Sequence, residues 1–528
     1  MFVEDIKNDF YNILLGNRVL LLVHYDVDAI CTCKILQGLF KSDNISYTLV
    51  PVGGIAELKS AYEENNEEIK FVVLINCGGT IDLVDILQPE EDVVFFVLDS
   101  HKPTDVCNIY SDGQVRLLCR DNEENIPNFD DIFRDDEEEE NEETTSGREG
   151  LEALVERRRE RRAWEERRNT LMFNYTQFSY YGKPSACVML EVAWRVSRSG
   201  VPAVWAASVA AAAQAALHTR TPAQCLLDFD TLHTTHTANH GQSSCRVSLE
   251  KDLCLPLYRC WSLEAALRHS PALAPALRLH ALAGATRLRQ LLADTGIPLQ
   301  QARQAYRAMD VELRRSLLAA LETAAPKHKL PCPTHTTSVL HRPHSPPIAA
   351  VDVVYAIMGL IEHETIPKGE GFQLALAALD VESGENEARR AGVASAQRSL
   401  EAVARLVHST ISSRKLHLAG PFSYFMVEGT PEASIVKGPV WLGVAARWAA
   451  AGGARPVLAS CSRGDRAVVL GVPPRYQHEP RNLFGAAFEQ AAARSGASIS
   501  LDYVDSAVVT LPTSQRAQFL DALTALLA

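Results

Sequence analysis

The run Leu20-Leu21-Leu22-Val23-His24-Tyr25-Asp26-Val27-Asp28 decides the fold class of this sequence. It begins with a continuous apolar stretch, which is typical of a strand buried on both faces of a parallel sheet. The run then turns polar and places two carboxylates, Asp26 and Asp28, just beyond the strand. Residues 29–40 follow with apolar side chains at helical spacing, so we predict a strand, a short turn and a helix.

The same alternation recurs through the first 120 residues. Further strand-like runs lie at 47–50, 71–75, 93–98 and 114–119, and helical stretches lie at 55–64 and 80–87. Continuous β-rich runs separated by helices indicate a parallel sheet with helices on its faces. The N-terminal part is therefore predicted to be a Rossmann-like α/β domain.

The charge of the chain is concentrated in one segment. The 528 residues carry a formal net charge of −13. Residues 121–143 contain thirteen acids and one arginine, a net of −12, which leaves the remainder near neutral at −1. Self-repulsion and a lack of apolar mass predict a disordered loop there. The acidity therefore does not exclude a nucleic-acid partner for the folded body.

An arginine-rich stretch follows the acidic loop at 148–171. Opposite charges three and four residues apart favour a long, solvated helix. A basic run of this kind is also a candidate nuclear-localisation signal. Its arginines are Arg157, Arg158, Arg159, Arg161 and Arg162.

The rest of the chain predicts a helical middle and a second α/β domain. Residues 172–325 are mostly good helix formers, whereas 326–347 are rich in Pro, His and Thr and predict a loop or linker. From residue 349 onward helical stretches precede several strand-like runs. The twelve cysteines form no C-x-x-C pair, which favours a reducing compartment. No apolar run reaches the length of a membrane span, so no membrane association is expected.

A second polar motif, Asp99-Ser100-His101, follows the strand-like run 93–98. Ligands and metals bind at the carboxyl edge of a parallel sheet, where this motif meets Asp26 and Asp28. Such carboxylates can share manganese or magnesium ions bridged by phosphate oxygens. The alternative is an ordinary helix cap, since Asp28 stands just before the helix predicted from Ala29.

Together the two motifs resemble the DHH phosphoesterase superfamily, whose nuclease branch is RecJ. Asp26 and Asp28 match its Asp-x-Asp motif, and Asp99 and His101 match two positions of its Asp-His-His motif. The sequence departs from the pattern at Asn76, which stands where the family has an Asp. A fourth acid is absent from the Ala-rich stretch 204–217, and no Gly-Gly-His-type signature is found.

These departures have a chemical consequence. An amide is neutral, so Asn76 removes a negative charge that a pair of dications needs. We therefore predict no catalytic residue and no required cofactor. Asp26, Asp28, Asp99 and His101 are expected to form a vestigial manganese or magnesium site that is not occupied, and Asn76 marks a lost ligand position. Without metal, the four groups are expected to form a hydrogen-bonded cluster with perturbed protonation.

The resemblance narrows to the cell division control protein 45 family of eukaryotic, RecJ-like replication factors. It rests on stretches that span the chain, at 47–52, 74–78, 85–89, 95–101, 292–299 and 481–489. The resemblance implies an N-terminal DHH-type parallel-sheet domain, a helical middle insertion and a smaller C-terminal α/β domain (DHHA1-like). The predicted segments are 1–120, the acidic loop 121–147, the completing helices 148–221, the docking insertion 222–325, the linker 326–347 and the C-terminal domain 348–528.

The function implied by this resemblance is non-enzymatic. Family members join the MCM ring and the GINS complex in the replicative DNA helicase, so the expected partners are MCM, GINS, other replication-fork and initiation factors, and single-stranded DNA. The nucleus is the expected compartment. The alternative is an active manganese-dependent phosphoesterase or single-strand exonuclease that uses Asp26, Asp28, Asp99 and His101.

Overall fold

The structure is a computed structural model of the chain. It describes residues 1–120, 124–133, 148–236, 245–381, 386–451, 453–474, 480–501 and 503–528. No described helix combines the length and the apolar character that a membrane span requires.

The N-terminal part is an α/β domain built on a five-stranded parallel sheet. Its strands, with one short strand outside the sheet, are β1 (Val19–His24), β2 (Tyr47–Val52), β3 (Phe71–Ile75), β4 (Val94–Leu98), β5 (His101–Lys102) and β6 (Val115–Leu117). Its helices are α1 (Asn12–Leu14), α2 (Val27–Asp43), α3 (Ile55–Asn65), α4 (Leu83–Leu87), α5 (Val106–Ile109) and α6 (Phe129–Ile132), with a π-helical turn at Ile6–Tyr11. The sheet order is β2-β1-β3-β4-β6, and all neighbouring pairs are parallel.

The central strand β1 contributes side chains to two apolar cores, because its side chains alternate between the two faces of the sheet. Leu20 and Leu22 point into one apolar cluster, and Leu21 and Val23 point into the other. All four side chains are fully buried. Burial on both faces explains why the strand is continuously apolar in sequence.

The middle of the chain is mostly helical and carries two more strands. Its elements are α7 (Arg148–Thr176), β7 (Tyr180–Tyr181), α8 (Ser185–Arg195), α9 (Val201–Ala216), α10 (Pro222–His236), β8 (Arg246–Leu253), α11 (Leu263–Arg268), α12 (Ala274–Leu277), α13 (Leu282–Asp294), α14 (Leu299–Arg303) and α15 (Val311–Ala324). The Ala-rich α9 packs against α2, since alanine side chains let two helix backbones approach closely.

The loop or linker predicted over 326–347 is wrong from Thr334 onward. Strands β9 (Thr334–Arg342) and β10 (Ser345–Ala349) form an antiparallel hairpin, and β9 also pairs with β8. Proline and histidine suggested a loop, but β-branched threonines favour a strand, and Val339 and Leu340 are buried. The two prolines of β10 lie on the edge strand of this sheet, where a missing N–H is tolerated.

The C-terminal part is a second, smaller α/β domain around a mixed sheet of order β11-β12-β13-β14-β15. Its helices are α16 (Ala350–Ile361), α17 (Lys368–Ala378), α18 (Glu387–Ser412), α19 (Pro439–Ala450), α20 (Phe484–Ser495) and α21 (Arg516–Leu527). Its strands are β11 (His417–Ala419), β12 (Phe422–Val427), β13 (Val457–Arg463), β14 (Arg466–Val472) and β15 (Val508–Pro512). The predicted fold class, including the N-terminal parallel sheet, is thereby confirmed, although α19 and α20 were not predicted.

The prediction of disorder over 121–147 is wrong for residues 124–133. Glu124 is buried and accepts hydrogen bonds from the Thr104 backbone N–H (2.6 Å) and from the Tyr175 hydroxyl (2.6 Å). Its second carboxylate oxygen lies 3.2 Å from the ammonium of Lys102, which is also buried. Helix α6 then packs on α7, where Arg168 donates to the Ile132 carbonyl at 2.9 Å. The remaining predicted loop, residues 121–123 and 134–147, lies outside the described residues.

The substitution Glu124→Ala is expected to release this segment from the sheet domain. Lys102 would remain buried without its carboxylate partner, which costs about 3 kcal/mol. Amide hydrogen exchange should show faster exchange over residues 124–133, and urea unfolding should show the loss of stability. The exposed Glu91→Ala is the matched control. Equal effects of the two substitutions would contradict the anchoring role of Glu124.

Candidate functional site

The polar residues singled out from the sequence lie at one edge of the N-terminal sheet. Asp26 and Asp28 follow β1, Asn76 follows β3, and Asp99 follows β4. These three strands are neighbours in the sheet, and Ile75 and Leu98 are register partners. Asn76 adopts a positive φ of 51°, a left-handed conformation that asparagine tolerates better than most residues.

Asp26 is the helix cap of this edge. Its Oδ1 accepts a hydrogen bond from the Ala29 backbone N–H at 2.7 Å, and α2 begins directly after it. Its Oδ2 lies 2.7 Å from Nδ1 of His24. The alternative that Asp28 caps this helix is therefore wrong, since the cap is two residues earlier.

Asp28 is directed instead at a helix more than 150 residues away in sequence. Its carboxylate accepts hydrogen bonds from the backbone N–H groups of Ser185 (2.8 Å) and Ala186 (3.0 Å) at the start of α8. Burial and the nearby Asp26 carboxylate raise the pKa of Asp28 to about 6. The positive end of the α8 dipole and its free N–H groups stabilise the carboxylate there.

Asn76 joins the two carboxylates. Its Nδ2 donates to Asp26 Oδ1 at 3.2 Å and to Asp28 Oδ2 at 3.0 Å. Its Oδ1 accepts from the Ser185 hydroxyl at 2.6 Å and from the Ser100 backbone N–H at 3.2 Å. The amide N–H groups thus lie between the carboxylates, where a bridging cation would need to contact both.

Asp99 and His101 form a separate pair on the segment that leads from β4 into β5. Asp99 Oδ1 lies 2.7 Å from His101 Nδ1, and Oδ2 accepts from the Gly79 backbone N–H at 2.9 Å. Burial opposes the charge of both groups. The pKa of Asp99 nevertheless lies below its usual value because of His101, and Asp99 raises the pKa of His101 to about 9. A Cβ on Gly79 would lie 2.7 Å from the Cβ of Asp99, so only glycine fits beside this carboxylate.

The residues of this edge do not fit a pair of bound metal ions. The carboxylates of Asp26 and Asp28 already accept hydrogen bonds from the Asn76 amide and from backbone N–H groups. The carboxylate of Asp99 is likewise hydrogen-bonded to His101 and to the Gly79 N–H. Among the described residues, no three His, Cys, Asp or Glu side chains converge as a metal site requires. The arrangement is a hydrogen-bonded polar cluster between strands β1, β3 and β4 and helix α8.

The polar cluster lines a cavity of about 600 Å³ between the N-terminal sheet and the C-terminal domain. The two walls are joined by a hydrogen bond from the Tyr181 hydroxyl to Asp505 at 3.2 Å and by a backbone bridge between Ser179 and Asn482. The side chains on the C-terminal side include the cations Lys368, Lys437, Arg447 and Arg463. The cavity therefore has an acidic wall and a partly basic wall.

Sequence reasoning missed Ser185 and Tyr181. Both lie far along the chain from the first motif, and nothing in their local sequence indicates that they face Asp28 or Asp505. One signal was available for Ser185, because Pro184 and Ser185 stand directly before an apolar helical run and mark a helix start. That signal indicates free backbone N–H groups but not the anion that they contact.

The substitution Asn76→Asp tests the role of the amide. It replaces the donor between Asp26 and Asp28 by a third carboxylate, so hydrogen bonds to charged acceptors are lost and like charges face each other. We expect a loss of about 3 kcal/mol in the free energy of unfolding without metal. Millimolar Mn²⁺ should restore part of the melting temperature of the variant and leave the wild-type protein unchanged. A melting temperature unaffected by the substitution would contradict this role.

The chain is similar to known proteins along its whole length. The family model described as CDC45 matches residues 19–153, 120–370 and 367–526. The mouse protein named cell division control protein 45 homolog is 36% identical over 567 residues, covering 100% of both chains, and its human counterpart is 36% identical over 575 residues, again covering 100% of both. The crystal structure of CDC45 from Entamoeba histolytica superimposes with a TM-score of 0.74 at 19% identity over 99% of each chain, which shows the shared fold. The chain therefore belongs to the cell division control protein 45 family.

Proposed function

We propose that this DNA replication factor is a non-catalytic scaffold of the eukaryotic replicative DNA helicase. In this role it joins the MCM ring and the GINS complex in the nucleus, contacts other replication-fork and initiation factors, and binds single-stranded DNA. Membership of the cell division control protein 45 family carries the replication role. The single structural observation that carries its non-catalytic character is the Asn76 amide held between Asp26 and Asp28.

The position of the Asn76 amide disfavours the alternative function, a manganese-dependent phosphoesterase or exonuclease. Two-metal hydrolysis needs acceptor groups that coordinate both cations and leave open positions for substrate. Here an N–H group is directed at the carboxylates, so both acids already have a donor in the resting fold. The proposal therefore assigns Asp26 and Asp28 to the stability of the sheet edge rather than to chemistry.

The helical insertion supports a docking role. Leu253 and Leu255 belong to an apolar core of the insertion itself, and Leu257 is fully buried in the main core, so these leucines serve packing. Leu282, at the start of α13, is fully exposed, and Val311, at the start of α15, is half exposed. We infer that Leu282 contributes to a contact with the MCM ring.

Binding of single-stranded DNA is supported by the charges around the central cavity. Lys368 and Lys437 are exposed on its C-terminal side and are free to contact phosphate oxygens. Lys368 lies 5.5 Å from the ring centre of Tyr25, so a cation and an aromatic ring, two kinds of group that bind single strands, stand side by side in the cavity. These groups favour a backbone contact without sequence preference.

Reconstitution with MCM and GINS from the same organism tests the scaffold. The chain is expected to co-purify with both and to raise the unwinding activity of the assembly. Leu282→Asp should weaken binding to MCM at least about tenfold, because a charge would be buried in an apolar contact. Leu418→Asp, at another exposed leucine, is the matched control. A folded wild-type chain that binds neither complex would refute the scaffold proposal.

The phosphoesterase alternative is tested separately with single-stranded DNA and Mn²⁺. We expect no degradation above that of the Asp26→Ala, Asp99→Ala variant. Degradation by the wild-type chain that this variant loses would establish the enzyme instead.

The DNA contact is tested through its salt dependence. Lys368→Gln and Lys437→Gln are each expected to reduce the slope of log affinity against log salt by about 0.7, the value for one released counterion on a single strand. Lys41→Gln, on an exposed helix end outside the cavity, is the control. Equal slopes for all four proteins in fluorescence anisotropy would place the DNA elsewhere.

A further inference from the structure

An open groove lies outside the central cavity, between the N-terminal helix α3 and the C-terminal domain. We call it the edge groove, and its volume is about 520 Å³. It is lined by Ile55, Ala56, Lys59, Ser60 and Glu63 of α3 and by Ile499, Ser500 and Leu501. None of these residues lines the central cavity.

The C-terminal wall of the edge groove is the free edge of a β-sheet. Ser500 and Thr510 exchange two backbone hydrogen bonds of 2.7 and 3.0 Å, so Ser500 forms a single β-bridge beside the edge strand β15. In an antiparallel pair, the residues before and after a hydrogen-bonded pair direct their N–H and C=O groups away from the partner strand. Within the part of the chain that the structure describes, the backbone groups of Ile499 and Leu501 have no hydrogen-bond partner.

The opposite wall is one exposed face of α3. Ala56, Lys59, Ser60 and Glu63 are spaced at i, i+3, i+4 and i+7, and all four are exposed. Lys59 and Glu63 stand one turn apart, yet neither forms an ion pair with a described residue. The wall therefore presents one positive and one negative group, both available to a partner.

The two walls are held at a fixed separation. Val504, just beyond the free edge, packs against the apolar cluster that contains Leu58 and Tyr62 from the buried face of α3. The hydrogen bond between Tyr181 and Asp505 lies on the same segment. The edge groove is thus preformed, which lowers the entropic cost of binding.

We propose that the edge groove binds an extended peptide of a partner protein, which adds as a strand beside residues 499–501 and places an acidic and a basic side chain, two residues apart, against Lys59 and Glu63. An exposed sheet edge binds extended peptides by strand addition, and contacts to alternate side chains of the peptide give specificity.

The spacing of the charges supports this occupant. Four residues along a helix rise about 6 Å. Two residues along a strand, whose side chains share a face, rise about 6.8 Å. For a strand that runs along the axis of α3, an acid and a base at alternate positions match Lys59 and Glu63 in both sign and separation.

Nucleic acid suits the edge groove less well. Its backbone cannot satisfy the alternating N–H and C=O groups of Ile499 and Leu501 as another strand does. The helix wall has one cation and one anion, so it offers no net attraction to phosphates. The proposal goes beyond the scaffold function, because it assigns a surface whose test needs neither MCM nor GINS.

The test uses three acetylated, amidated hexapeptides and the full-length protein. The sequences are Val-Glu-Val-Lys-Val-Thr, Val-Lys-Val-Glu-Val-Thr and the neutral Val-Gln-Val-Gln-Val-Thr. Binding is followed through the methyl NMR signals of Ile55, Ile499 and Leu501. The wild-type protein should bind one of the charged peptides about threefold more tightly than the neutral one, as two exposed ion pairs predict.

A charge swap makes the result specific. The double variant Lys59→Glu, Glu63→Lys should reverse the order of the two charged peptides without changing the melting temperature. The matched control exchanges another exposed pair four residues apart, Arg161→Glu with Glu165→Arg, and should keep the wild-type order. N-methylation of alternate peptide amides should abolish binding, because strand addition uses those donors.

Several outcomes would overturn the proposal. One is the absence of methyl shifts with any peptide at millimolar concentration, and another is a binding order that the charge swap leaves unchanged. Shifts produced by oligo-dT but by no peptide would assign the edge groove to nucleic acid. Self-association of the chain that the charge swap abolishes would assign it to a second copy.

Discussion

The hydrogen bonds from Asn76 to Asp26 and Asp28 are the constraint on which the centre of this protein depends. Two carboxylates just beyond the end of one strand, β1, repel each other, and one of them, Asp28, is buried. The amide supplies donors to both, while its oxygen accepts from Ser185 and Ser100. A single neutral side chain thus links β1, β3, the loop after β4 and the start of α8.

The C-terminal domain closes over this edge through contacts of a different kind. A backbone bridge at Ser179 and Asn482, the Tyr181–Asp505 hydrogen bond and the Lys34–Asp380 ion pair at 2.5 Å join the two α/β domains. These polar contacts lie around the cavity and beside an apolar interface, in which α16 and α17 pack against α2 and α9. The apolar contact buries surface of both domains, and the directional polar bonds restrict their orientation more narrowly than apolar contact alone does.

The local parts of this architecture could be predicted from sequence. Asp26, Asp28, Asn76 and Asp99 each follow a strand of the parallel sheet, so their position at one edge follows from the order of strands and helices. The identity of Asn76 as a departure from the metal-binding pattern was also evident from the sequence. Because the Asn76 side chain is neutral, the sequence also indicated that a pair of divalent cations would have too few carboxylate ligands here.

The remaining features depend on contacts between distant segments. Asp28 contacts Ser185, which is far away in sequence. Glu124 is buried in contact with Lys102 and Tyr175, although the acidic residues around it in the sequence predict disorder. Strand β9 was obscured because its Pro, His and Thr composition is typical of loops, whereas its pairing with β8 decides the conformation. In each case tertiary pairing outweighs local composition, which sequence patterns do not report.

The packing of α9 restricts which residues the chain can accept there. The stretch 204–217 contains no acidic residue and lies in an Ala-rich helix packed against α2, with residues 206–213 buried. A larger side chain there would force two closely packed helices apart, at about 1–3 kcal/mol, and a charge would add a burial cost. An acid in this stretch would therefore require several compensating changes in α2 and α9 at once. The substitution Asn76→Asp alone adds a carboxylate to the edge of the sheet but none on the side of the cavity that α9 lines.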